Sequence, residues 1–275
     1  MNTSHTSRSV MVGIDGSDAA IRAAEWAIDE AVSREVPLRL VHVIHERVEP
    51  AAFASVGNVQ MEVEYGETAL STACAAMEAT GKAVKVETDI LRGDPAAVLI
   101  AESRRADMVC VGSVGIGRFA RALLGSTAAE LAKAAHCSVA IIRTKPRQLK
   151  LASDCIVVAV NNSSENEAVV QQAMKEAQLR DAPVLALGGW REDLGDMTLD
   201  DVNRRLESWR LRCPSVQIYT AATHTNIADF LGVNGRRVQL AVIGSSDVDQ
   251  VVQLIGPHRQ PLLGHAECSV LVVRC

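Results

Sequence analysis

Val12-Gly13-Ile14-Asp15-Gly16-Ser17 returns in the same chain as Val158-Ala159-Val160-Asn161-Asn162-Ser163. Each copy ends a short apolar run, turns, and opens a helical segment of about 16 residues, after which a proline, Pro37 or Pro183, starts the next strand. One shift of 146 positions carries Asp15 onto Asn161 and Pro37 onto Pro183 without a gap. Two further matches keep the same order. Asp107-Met108-Val109-Cys110-Val111-Gly112-Ser113 is answered by Gln239-Leu240-Ala241-Val242-Ile243-Gly244-Ser245. His136-Cys137-Ser138-Val139-Ala140-Ile141-Ile142-Arg143 is answered by Glu267-Cys268-Ser269-Val270-Leu271-Val272-Val273-Arg274. A repeat of this length means one structural unit made twice. The seam falls in the Lys-, Arg- and Pro-containing stretch 144–150, so domains are expected at 1–146 and 150–275.

Within the first half, apolar strands are expected at 9–14, 38–44, 84–91, 108–112 and 138–143. Helices alternate with them. Ser17 or Asp18 caps the first, in which Ala20, Ala24, Ala27, Ile28 and Ala31 share one face. A polar Gly- and Glu-containing loop leads to a second helix around 67–80. Asp94 caps a third with Pro95 at its first position, and a fourth covers 127–135. Continuously apolar strands alternating with helices specify an α/β fold with a parallel sheet covered on both faces. Such sheets take ligands beyond the carboxyl ends of their strands, where the strand order switches.

The fourth strand runs into Gly112-Ser113-Val114-Gly115-Ile116-Gly117-Arg118-Phe119-Ala120-Arg121-Ala122-Leu123-Leu124-Gly125-Ser126. Gly112, Gly115 and Gly117 let backbone N–H groups approach a ligand without interference from a Cβ. Gly125-Ser126 stands at the start of a helix, where unpaired N–H groups and the helix dipole favour an anion. Ser113 and Ser126 carry hydroxyls, and Arg118 and Arg121 bring positive charge, one of them sufficing inside. The group reads as a triphosphate cradle, although it comes after the fourth strand and ends without Gly-Lys-Ser/Thr, so neither the Walker nor the dinucleotide fingerprint fits. Asp15 closes the first strand at the same sheet edge; it could accept from ribose hydroxyls or the adenine amino group, or only cap the turn. Gly13 would allow close approach of a base, and Val43 would give it an apolar wall and a backbone partner.

Composition narrows the classes. The chain has 275 residues, 48% hydrophobic and 22% charged, which suits a packed protein of about two domains. Aromatics are only 3% and the net charge is −5, without a basic tract, which argues against nucleic acid as partner. The seven cysteines are scattered without a Cys-x-x-Cys pair. Cys110, Cys137 and Cys268 are expected to be buried small apolar side chains. The short polar start lacks a signal pattern, and no apolar run approaches the roughly 18 residues that span a membrane. A cytoplasmic protein is expected. His42 and His45, three apart in a strand, fall on opposite faces and do not suggest a metal site.

The Val-Gly-Ile-Asp-Gly-Ser start, the Gly-x2-Gly-x9-Gly-Ser spacing from Gly112 to Ser126 and the closing Cys-Ser-Val-Ala-Ile-Ile-Arg run resemble the ATP-binding class of universal stress proteins. That resemblance implies two tandem Rossmann-like (adenine nucleotide alpha hydrolase-like) domains, each with a five-stranded parallel sheet. It implies ATP at Asp15, Val43, Gly112, Gly115, Gly125 and Ser126, with Mg2+ carried by the phosphates. It also implies dimer-like pairing of the two halves through their last strands, and leaves further pairing of two chains open.

The second half departs from the pattern. Asn161 stands for Asp15, Asp247 and Asp249 answer Gly115 and Gly117, and Pro257 comes after Gly256 where Ser126 comes after Gly125. Carboxylates would repel a triphosphate, and proline removes a donor. The expectation is a degenerate second domain and an ATP-binding regulatory protein in which occupancy biases loops around Gly57 and Gly115 toward a protein partner. A slow ATPase or ATP-dependent transferase is the alternative, but no general base near the cradle is identifiable, which leaves weak hydrolysis at most. A nucleotide-free interaction module is the third reading.

Overall fold

The computed structural model describes residues 8–45, 56–115, 124–143, 154–188, 197–223, 227, 230, 238–255 and 268–274. Two compact units divide the chain. The expected seam at 144–150 lies outside the described residues.

In the first unit, β1 (Ser9–Gly13), β2 (Leu38–His45), β3 (Val86–Gly93), β4 (Ala106–Gly112) and β5 (Ser138–Ile142) form a sheet in the order β3-β2-β1-β4-β5. Every pairing is parallel. Val10, Met11 and Val12 of β1 and Met108, Val109 and Cys110 of β4 are inaccessible to solvent, which is why these central strands read as unbroken apolar runs. The terminal strand β3 instead carries Glu87, Asp89 and Arg92, charges that discourage pairing at an open edge.

Helix α1 (Asp18–Arg34) is capped by Ser17, whose hydroxyl accepts from the Ala20 amide at 3.2 Å. It lays Ala20, Ala23, Ala24, Ala27, Ile28 and Ala31 on the sheet, each at most 2% exposed. Small side chains bring the helix close. A Cβ on Gly112 would stand 2.7 Å from Ala19 Cβ, so the glycine at the end of β4 makes room for α1. Helix α3 (Pro95–Glu102) starts as expected, with Asp94 Oδ1 accepting from the Ala97 amide at 2.9 Å. Helix α4 (Ser126–Ala134) begins directly after Gly125.

Two expectations are corrected. Helix α2 spans Val56–Glu78, so it begins well before residue 67 and takes in Gly57 and Gly66. Gly66 is inside a helix because a Cβ there would strike the His42 ring, 2.6 Å from Cδ2; packing overrides the weak propensity that reads as a loop. Cys137 is only partly covered, since it sits in the bend before β5, whereas Cys110 and Cys268 are fully buried. His42 is buried and His45 exposed, as their spacing requires.

The second unit repeats the plan. Strands β6 (Cys155–Val160), β7 (Val184–Gly188), β8 (Ile218–Ala222), β9 (Val238–Gly244) and β10 (Ser269–Val273) take the order β8-β7-β6-β9-β10. All pairings are again parallel. Helix α5 (Asn166–Arg180) answers α1, and α6 (Leu199–Arg212) carries a reciprocal cap between Thr198 and Asp201. Even a buried ion pair is duplicated at the same shift. Arg34 meets Glu30 at 3.1 Å and Arg180 meets Glu176 at 3.0 Å, with both carboxylates almost wholly out of solvent.

The units differ after the fourth strand of each. Strand β9 passes directly into a 3-10 turn, Ser245–Gln250, and a short helix α7, Val251–Ile255. In the first unit the corresponding residues 113–115 form a bend and no 3-10 turn, and those that would answer α7 lie outside the described residues.

Candidate functional site

Strand order in the first unit switches between β1 and β4, because β2 and β3 build to one side of β1 and β4 and β5 to the other. A cavity of about 300 Å³ opens at the carboxyl ends of those strands, at the lower end of the range of small-molecule sites.

Seven of the residues expected at the site line this cavity: Gly13, Asp15, Val43, Gly112, Gly115, Gly125 and Ser126. Gly117, Arg118 and Arg121 lie outside the described residues. Ser113 is not on the cavity wall. It is buried, its amide donates to the Ile142 carbonyl at 2.9 Å, and its own carbonyl accepts from the Gly125 amide at 2.8 Å. Ser113 therefore ties the end of β4 to the start of α4. Gly13 has a packing role as well. Around Gly13, a Cβ would crowd Leu99 at 3.1 Å and Val111 at 3.2 Å, so this glycine admits α3 to the sheet as much as any ligand.

Asp15 caps the turn and also lines the cavity. Its Oδ1 accepts from the Ser17 amide at 3.0 Å and the Ser17 hydroxyl at 2.6 Å, which fixes the turn into α1. Its Oδ2 faces Gly115, where a Cβ would stand 2.6 Å away. The carboxylate thus spans the cavity from β1 to the segment after β4.

The remaining walls were not legible in sequence. Val41, Leu99 and Val111 add apolar surface beside Gly13, and Ala20 and Thr127 contribute from the first turns of α1 and α4. Leu99 could have been found only by knowing that α3 returns over β2 and β3 to reach Gly13 at the end of β1. At the start of α4, Gly125 offers no side-chain cap, and the first intrahelical bond runs from the Ala129 amide to the Gly125 carbonyl. The Ser126, Thr127 and Ala128 amides precede that bond and form the positive end of the helix dipole. The cavity can therefore receive a flat apolar group against Val41, Leu99 and Val111, a hydroxyl or amine on Asp15, and an anion at α4. Asp15 is its one ionisable lining residue among those described, and no histidine lines it.

The corresponding place in the second unit keeps the turn and surrounds it with different side chains. The Ser163 amide donates to Asn161 Oδ1 at 2.9 Å, as Ser17 does to Asp15. Asn166, which answers Ala20, is buried, accepts from the Asn161 amide at 3.1 Å and donates to the Ala159 carbonyl at 2.8 Å. Glu165, which answers Ala19, accepts from the Ser245 hydroxyl at 3.0 Å. The expected carboxylates take other places: Asp247 is buried within the 3-10 turn and accepts from Gln250 at 3.2 Å, and Asp249 is exposed. Glu165, unnoticed in the sequence, is the carboxylate beside the end of β9. Gly256 and Pro257 lie outside the described residues.

The profile of the universal stress protein family matches residues 6–143. The universal stress protein Rv2624c of Mycobacterium tuberculosis is 49% identical over 269 residues, covering 98% of this chain and 97% of its own. This chain belongs to the universal stress protein family. A second family member from that organism, Rv2028c, is 40% identical over 279 residues, covering 99% of this chain and 98% of its own. The crystal structure of a universal stress protein from Archaeoglobus fulgidus has a TM-score of 0.70 to this one at 16% identity, covering 98% of this chain and 96% of the other. That likeness shows the universal stress fold across both units. No helix among the described residues is long and apolar enough to cross a membrane.

Proposed function

We propose that this universal stress protein binds one ATP per chain, in its first unit, and acts in the cytoplasm as a nucleotide-dependent regulator of a protein partner. The observation that carries this reading is the meeting of three features in one cavity. An apolar cleft lies beside Gly13, the Asp15 carboxylate crosses it, and the uncapped start of α4 borders it. Base, ribose and phosphate need those three chemistries. Arg118 and Arg121 supply further charge to the phosphates. Mg2+ enters with the nucleotide, its ligands mainly phosphate oxygens, since no cluster of three or more metal-ligating side chains occurs among the described residues.

Regulation is favoured over turnover because Asp15, the ionisable lining residue, already commits Oδ1 to Ser17 and, in this reading, serves the base or ribose and not the γ-phosphate. A general base at the γ-phosphate is therefore lacking among the described residues. The second unit is proposed to carry no nucleotide, because Asn166 and Glu165 put hydrogen-bonded polar side chains where the first unit has Ala20 and Ala19. Native mass spectrometry of the purified protein, then calorimetric titration with ATP, tests the reading. One ATP per chain without phosphate release is the expected result. Absence of binding would leave a nucleotide-free interaction module, and steady phosphate release would favour the ATPase.

A further inference from the structure

Two consecutive carbonyls in the turn that carries Asp15 are held by side chains that do not line the cavity. The Tyr65 hydroxyl, on α2, donates to the Asp15 carbonyl at 2.9 Å. His42, on β2, lies 2.7 Å from the Ile14 carbonyl through Nδ1. A carbonyl only accepts, so Nδ1 carries the proton and the tautomer is fixed by this contact. The two rings touch, with centroids 5.9 Å apart and planes tilted by 60°. Beneath them, the α2 backbone at Gly66 presses on the histidine ring, leaving no room for a Cβ. On the strand side, the Ile14 amide donates to the Val41 carbonyl at 2.9 Å. The turn itself is hinged at Gly16, whose φ of 86° is in the left-handed region.

We propose that Tyr65 and His42 are positioning residues for the nucleotide, and that through them occupancy of the cavity is felt by α2. A shift of the Asp15 backbone toward a ligand moves the carbonyls of residues 14 and 15, and those carbonyls are tethered to α2 and to the ring on which α2 rests. A bound ribose or base that fixes the Asp15 carboxylate fixes the turn, and with it the first half of α2. Conversely, loosening α2 loosens the carboxylate and weakens binding, since the coupling is reciprocal. Tyr65 is half-exposed, so ring and hydroxyl can leave the turn without unfolding the core. The proposal rests on nucleotide binding at Asp15.

Hydrogen exchange with and without ATP tests it, on the full chain and on two variants, Tyr65→Phe and Gly66→Ala. The first removes one hydroxyl and keeps the ring; the second displaces the His42 ring. Without nucleotide, Tyr65→Phe should exchange faster at the amides of residues 15–17, with the amides of β4 unchanged. With ATP, amides 58–68 of the wild-type protein should slow, and Tyr65→Phe should lose most of that slowing together with roughly fivefold in ATP affinity, about one hydrogen bond's worth. The His42 ring 15N resonances should move with ATP in the wild type and much less in Gly66→Ala. A merely structural tyrosine would lower the melting temperature and leave ATP affinity and the exchange of residues 15–17 untouched, and that result overturns the proposal. If the wild type binds no ATP, the nucleotide reading falls and the coupling with it, while the nucleotide-free exchange of residues 15–17 still decides whether the tether exists.

Discussion

Gly115 stands so close to Asp15 that a Cβ on it would lie 2.6 Å from the carboxylate oxygen Oδ2. The contact joins the carboxylate at the end of β1 to the segment after β4, and any side chain at residue 115 must push one of them aside. Gly115→Asp adds a like charge to that displacement. ATP affinity should fall at least about tenfold, the equivalent of 1.4 kcal/mol, with the circular dichroism spectrum unchanged. Gly115→Ala should weaken binding less, which separates crowding from charge. Calorimetry on both variants checks the order.

One nucleotide per chain is expected at saturation. Asn166 and Glu165 are engaged in the second unit with Ala159, Asn161 and Ser245, and a ligand there would have to break those bonds. Titration should give a stoichiometry near one, and Asp15→Asn should reduce binding without revealing a second class of sites. A stoichiometry near two would contradict the assignment. Thermal shift offers a companion measurement, because ATP at about a hundred times its dissociation constant should add roughly 2.7 kcal/mol of stability.

The duplicated ion pairs make a prediction about folding. Glu176 is fully buried against Arg180, so Arg180→Met should leave an uncompensated carboxylate and cost on the order of 3 kcal/mol in urea denaturation. The double variant Glu176→Leu, Arg180→Met should recover much of that loss, since removing both charges also removes the desolvation cost.

The cap of α6 should be sensitive to acid. The Thr198 hydroxyl donates to Asp201 and, with the Thr198 amide and Arg204, holds the Asp201 carboxyl below its ordinary value of 3.8. A carboxyl lowered in the folded state stabilises above its unfolded value, and that contribution disappears as pH falls through the folded one. Asp201→Asn should therefore lower the melting temperature at neutral pH, and its difference from wild type should shrink below about pH 3.8. A difference that stayed constant into acid would exclude the carboxylate as its source.

The strands of the first unit and the helix starts at Ser17 and Asp94 were legible because each rests on local chemistry, whereas in the second unit the repeat marked β6, β7, β9 and β10 but not β8. Apolar continuity marks Val10–Val12 and Met108–Cys110, and the Asp94-Pro95 pair marks a helix start. The start of α2 was hidden because Gly57 and Gly66 read as loop residues, and the reason for Gly66 lies across the fold in His42. Asp15 and Gly115 are 100 positions apart in sequence, and spacing alone could suggest a shared ligand but not their contact. Leu99 and Tyr65 carry no motif. Their parts in the site come from where α3 and α2 return over β2 and β3.

A single hydrogen bond, from the Gly125 amide to the Ser113 carbonyl at 2.8 Å, closes the base of the segment between those residues. Both ends of that segment are thereby fixed by the sheet and by α4, whatever the chain between them does. The entropic cost of a loop grows only with the logarithm of its length, so added residues should be well tolerated there. Folding should therefore tolerate an insertion at residues 118–121 even as ATP binding, which draws on Arg118 and Arg121, is lost.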